Sequence, residues 1–134
     1  MNIANYTSCF HDGSIIDIYH DQSIVILSME SAEISPEENL DHIVLSESLT
    51  IKGKLHIEGV DLITENEKQI SVLLKMLYDS AGILHLKIDG TTVLLDLEWV
   101  NFPPHPNVTT YSFYTINAKK IWWENIPDLY DPFG

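Results

Sequence analysis

The sequence predicts a mainly β fold, α+β by count: an antiparallel, strongly bent sheet or a sandwich of roughly seven or eight strands, with one helix inserted near residues 66–80. Three observations lead there. Apolar residues recur at every second position through several runs of the chain, the period of a strand with one buried face. Only the window at 66–80 carries a helix-spaced apolar stripe,. Strand runs precede and follow that window instead of alternating with helices, which argues against a parallel βαβ sheet.

Taken in order, Gly13 to Met29 reads as a hairpin. With Asp21-Gln22 as a two-residue turn, Ile18 faces Val25 and Ile16 faces Leu27, while Tyr19 faces Ile24. Both faces are then partly apolar, so the pair is expected inside a sheet and covered on both sides. Ser31 to Leu45 is an acidic connection with a single helical turn at Ser35-Pro36, because proline suits the first turn and acids favour its positive end. From Leu49 to Glu58 apolar and polar residues alternate, with Gly53 marking a bulge or bend. Val60 to Ile63 continues the sheet beyond Gly59.

Asn66 to Ser80 has Asn66 as cap, Glu67 in the first turn, and Ile70, Leu73, Leu74 and Leu77 on one stripe, with Gly82 as stop,. A helix with one stripe is a lid on a sheet. Ile83 to Val100 forms a hairpin around Asp89-Gly90, a favoured type I′ pair. That turn sets Leu86 against Val93, Leu84 against Leu95, Lys87 against Thr92 and His85 against Leu94. Beyond Pro103-Pro104-His105-Pro106, Thr110 to Ile116 and Lys119 to Glu124 are expected to pair about a turn near Asn117-Ala118. The remainder, Asn125 to Gly134, is broken by Pro127 and Pro132 and should wrap irregularly over the rest.

The chain has 134 residues, the usual size of one domain spanning 1–134, and a chain this long buries about two-thirds of its unfolded surface. Its 20 acidic residues stand against 7 lysines and no arginine, a net charge of -13, yet 45% of it is hydrophobic. It should fold and present a negative surface that repels nucleic acid and anionic lipid and attracts basic partners. The lack of arginine removes the usual bidentate phosphate reader, so neither nucleic acid nor membrane is an expected partner. Met1 to Phe10 holds no signal-peptide pattern, no run approaches the roughly 18 apolar residues of a membrane span, and a reducing cytoplasm is the expected location. The two Asn-x-Thr triplets at Asn5 and Asn107 therefore read as chance. The single cysteine, Cys9, reads as a small packed residue,.

No motif names a reaction, a metal or a cofactor. His11-Asp12 resembles the start of an HD-type metal site, but that site needs further ligands from several helices, so Asp12-Gly13 reads as a turn, with the histidine packing or hydrogen-bonding to backbone. His56 and His85 lie on polar sides of two strands and could meet at a zinc ion only if those strands were neighbours. Asp96 and Glu98 share one strand face about 7 Å apart, a spacing open to glycosidase-like chemistry but commonly a solvated face. Trp122 and Trp123 are consecutive on a strand, so one points in and the other out. An exposed tryptophan is a partner-binding anchor unless Ile126, Leu129 and Phe133 cover it.

The opening Phe10-His11-Asp12-Gly13 followed by Ile15-Ile16-Asp17-Ile18 resembles small β-rich bacterial immunity proteins of polymorphic-toxin systems and their uncharacterised neighbours. Gly53-Lys54-Leu55-His56-Ile57-Glu58-Gly59-Val60, and Asp89-Gly90 leading to Leu97-Glu98-Trp99, are similar to the same group. The resemblance implies an inhibitor that binds a toxin domain, basic where the toxin is a nuclease, and steers to it through its charge. The partner-binding residues are then Glu33, Glu37, Glu38 and Asp41 with Asp96 and Glu98 for the field, and Trp122 or Trp123 as anchor. Two further readings stand beside this one. One is a small-molecule or enzymatic β domain with a sheet-mouth pocket lined by Trp99, Tyr111 and His85. The other is a structural or homo-oligomeric subunit.

Overall fold

The structure, a computed structural model, describes residues 2–35, 38, 40 and 42–129. Nine strands among these residues form one open antiparallel sheet: β1 (Ser14–Asp21), β2 (Ile24–Glu30), β3 (Lys52–Glu58), β4 (Leu62–Glu65), β5 (Lys68–Gln69), β6 (Ser80–Asp89), β7 (Thr92–Val100), β8 (Tyr111–Asn117) and β9 (Lys120–Asn125). Their order across the sheet is β5-β4-β8-β7-β6-β1-β2-β3-β9. The mainly β, antiparallel expectation holds, with one or two more strands than the alternation suggested.

The order dictates that the sheet folds on itself. β8 is third in the order and β9 ninth, which in a flat sheet sets them about 29 Å apart at the ordinary strand spacing. Only Ala118 and Lys119 separate them in sequence, a link that reaches about 11 Å. The bend falls between β6 and β1, joined by just two residue pairs, Ser14 with Gly82 and Ile15 with Ala81. Each of these strands carries a register break beside the seam, between Ile15 and Asp17 in β1 and between Ile83 and His85 in β6. An extra residue in one strand of a pair bends it and increases its twist. Two such bends side by side turn the sheet into two layers.

The inner faces of both layers meet in one apolar cluster, with Leu27, Leu55 and Ile57 from one layer and Val93, Leu95, Leu97, Trp99 and Ile116 from the other. A buried hydrogen-bond chain crosses β7, β8 and β4. The Trp99 indole N–H donates to Ser112 Oγ at 2.9 Å, and the Ser112 hydroxyl donates to Glu65 at 3.0 Å. Tyr114 also donates to Glu65, at 3.3 Å. Burial, aided by the negative charge of Glu65, pushes the Tyr114 phenol up to about 12,.

The helix expected at 66–80 is absent. Asn66 and Glu67 both have positive φ and form the turn between Glu65 and Lys68 of a short β4–β5 hairpin, the backbone pattern of a type I′ turn. Asn66 does not cap a helix; its side chain accepts from the Phe113 N–H at 2.9 Å. From Ile70 to Asp79 the chain is an irregular strap. It buries Leu74 in the core and is clasped by His20, whose Nδ1 accepts from the Leu74 N–H at 2.8 Å. The helix among the described residues is instead a 3-10 helix at Ile3–Phe10, capped by Asn2 and burying Ile3 and Phe10.

Both long hairpins form one step from their expected register. The turns are Gln22-Ser23 and Gly90-Thr91, so Ile18 faces Leu27 and Leu86 faces Leu95. In each, the residue with positive φ, Gln22 or Gly90, takes the first central position of the turn, where a II′ turn requires it. β8 and β9 do not pair: β8 lies between β4 and β7, while among the described residues β9 pairs with β3 alone. Gly53 marks no bulge. Its ladder is regular, and the absent side chain lets Glu124 approach, since a Cβ there would stand 2.0 Å from the Glu124 carbonyl oxygen.

Candidate functional sites on the two outer faces

Alternation along β7 and β8 sends Val93, Leu95, Leu97 and Trp99 inward, which obliges Asp96 and Glu98 to face out. Pairing with β8 then places Glu98 directly across from Tyr111 and Asp96 directly across from Phe113. Directly opposed side chains on one face lie about 5 Å apart at Cβ. Tyr111 is 52% exposed, while Phe113, Asp96 and Glu98 are half-buried. On the far side of β7, His85 of β6 lies opposite Asp96. The result is a ladder of two carboxylates and two aromatic rings on one open surface.

A second surface lies on the outer face of the β1-β2-β3-β9 layer. Register places Tyr19, Ile26, His56 and Trp122 in one row across the four strands. Trp122 stacks on His56 with ring centroids 3.9 Å apart and planes 6° from parallel. The His56 Nε2–H donates to Glu124 at 2.8 Å, and the Trp122 indole N–H donates to Glu58. Tyr19 is 53% exposed and Trp122 38% exposed, with Ile16 and Ile24 also open. The hairpin is therefore covered on its inner side alone, and the expectation of cover on both sides fails.

Of the tryptophan pair, Trp123 is the inward member. It packs edge-on against Phe10 at 5.7 Å and donates to Asn125 at 3.0 Å, so it belongs to the core. Trp122 is the outward one, and the described part of the following chain leaves it open: Ile126 and Leu129 are themselves exposed. Phe133 lies outside the described residues. Glu33 and Glu38 are exposed on the acidic connection, whose backbone is tied by Ala32 to Cys9 and by Ile34 to Leu49. Glu37 and Asp41 lie outside the described residues, as does Pro36 of the expected helical turn. The predicted acids and anchor do not form one patch: Asp96 and Glu98 face out from one layer and Trp122 from the other.

The pocket residues of the enzymatic reading do not converge, because Trp99 faces the core while Tyr111 and His85 face outward. His56 on β3 and His85 on β6 are not on neighbouring strands. His11 Nδ1 donates to the Leu84 carbonyl at 2.6 Å, and Asp12, at positive φ, turns into Gly13, the backbone role expected for that pair. Burial raises the Cys9 thiol, with the charge of Glu38 adding to it, which disfavours a nucleophilic thiolate. No helix among the described residues is long and apolar enough to cross a membrane.

Sequence reasoning missed Tyr111 and Phe113 as companions of the acids. The signal was present, two aromatics at strand spacing before Asn117, but only the β7–β8 register joins them to Asp96 and Glu98. Compared with protein-family models, curated proteins and solved structures, the chain matches none.

Proposed function

We propose that the chain is an acidic protein-binding module that takes a basic protein on the outer face of β7 and β8. We further propose that this partner is a bacterial toxin domain, which the chain neutralises in the cytoplasm as an immunity protein. The observation that carries the reading is the ladder in which Glu98 faces Tyr111 and Asp96 faces Phe113. A carboxylate beside an aromatic face offers an arginine or lysine both a charge-assisted hydrogen bond and a cation–π contact. The net charge of -13 supplies the long-range field, which speeds encounter with a basic surface and covers the face such a surface offers to nucleic acid. Glu33 and Glu38 add to that field from the exposed acidic connection.

The experiment is a binding titration of the purified chain against the toxin domain encoded beside its gene, across a salt series, together with a co-expression survival assay. Tight binding that weakens steeply with salt and protects cells is the expected result. Replacing Asp96 and Glu98 together by lysine should weaken binding at least about a hundredfold, as expected for reversal of two interfacial charges. No association at low salt, or no protection, would sink the proposal.

A further inference from the structure

The two ends of the sheet are built differently. β5 consists of only Lys68 and Gln69, both exposed, and a very short charged strand is one way natural sheets blunt an edge. β9 runs for six residues, Lys120 to Asn125, with no proline, and it is paired to β3 through all six without a register break. Among the described residues, no backbone hydrogen bond ties β9 to anything on its other side. A cleft of about 550 Å³ opens beside it, walled by Ile3, Ala4, Ile88, Gly90, Ile121 and Trp123. An edge of this length with space alongside is a template for one more strand.

The outward side chains of β9 say which strand fits. They are Lys120, Trp122 and Glu124, a cation and an anion placed symmetrically about an indole. We propose that β9 pairs antiparallel with β9 of a second copy of this chain, about a two-fold axis at Trp122. In that register Lys120 of each copy faces Glu124 of the other, and the two Trp122 rings meet at the axis. Ile121 faces Trp123 across the inner side, next to the cleft. The contact is isologous, so the same residues, Lys120 to Glu124, serve both copies. Opposite charges directly across a strand pair are favourable and like charges are not, so the sequence of this strand suits itself.

The interface is separate from the β7–β8 ladder proposed above for a basic partner, and its salt response has the opposite sign. Two copies each carrying -13 repel one another, and added salt screens that repulsion. Self-association should therefore strengthen with salt, where binding of a basic partner weakens.

Sedimentation of the full chain at low and high salt tests this, using Lys120→Glu and Glu124→Lys. The wild type should sediment as a dimer, more completely at high salt. Each single reversal sets like charges across both ends of the pair and should weaken dimerisation about tenfold or more. The first makes the chain more acidic and the second less so, so an effect of net charge alone would move them in opposite directions. An equimolar mixture of the two variants should form a heterodimer, and the chain carrying both reversals should dimerise again. A wild type that stays monomeric at both salt levels overturns the proposal. So do single variants that dimerise like wild type, or a mixture of folded variants that stays monomeric. Toxin binding measured with Lys120→Glu separates the two proposals, since loss of the dimer should leave the β7–β8 contact intact.

Discussion

Tyr114 shows how a single residue ties the buried network to a measurable pH response. Burial holds its phenol neutral in the folded chain up to about 12, whereas in the unfolded chain the group ionises near 10. A raised phenol contributes its stability in full below about pH 10 and loses it as pH climbs towards 12, because only the unfolded state gains charge in that window. The urea midpoint of the wild type should therefore fall between those values, and Tyr114→Phe should flatten the fall; equal slopes would assign it to other groups. Gly53 offers a second test at this scale. Its Cβ would stand 2.0 Å from the Glu124 carbonyl oxygen and 2.8 Å from the Trp123 ring, so Gly53→Ala should cost about 2–3 kcal/mol in chemical denaturation as β9 is pushed from β3.

At the scale of elements, the strap at 70–79 is where local pattern and tertiary structure disagree. Ile70, Leu73, Leu74 and Leu77 have helical spacing, yet only Leu74 is buried, while Leu73 and Leu77 are exposed. Positive φ at Asn66 and Glu67 commits the start of the segment to a hairpin turn, and β4 holds it there through Lys68 and Gln69. Periodicity is a local signal and strand pairing a non-local one, and here the pairing wins. Leu74→Ala should cost about 2–4 kcal/mol through the cavity it leaves. Leu73→Ala and Leu77→Ala should stay within about 0.5 kcal/mol. Three equal losses in thermal or urea unfolding would point to a helical stripe instead. The hairpins show a milder disagreement. Each turn sits one residue later than expected, which moves every partner by two positions and leaves the side chains near the turns on their expected face,. Beyond the register breaks the faces swap, so Ile15 and Ile83 are buried where Ile16 and Leu84 were expected to point inward,.

For the whole molecule, charge and topology govern different properties. The acids fall on the acidic connection and on outward strand positions such as Asp17, Asp96 and Glu98, so the negative field belongs to a folded surface and opposes the compact state. Added sodium or potassium chloride should raise the unfolding midpoint by a few degrees at neutral pH, equally for both salts; a response to only one cation would indicate a specific ion site. Sequence alone determined the β class, the inward and outward alternation along the strands away from the two register breaks, the Asp12-Gly13 turn, and the sign of the field. All of these follow from interactions between residues near in sequence or from simple counting. The tertiary structure decided the rest: the double bend at the β6–β1 seam, the separation of β8 from β9, the choice of Trp122 over Trp123 as the exposed ring, and the meeting of Asp96 and Glu98 with Phe113 and Tyr111. Each depends on which strand lies beside which, and strand order is set by packing two layers onto one core, a non-local sum that no local window contains.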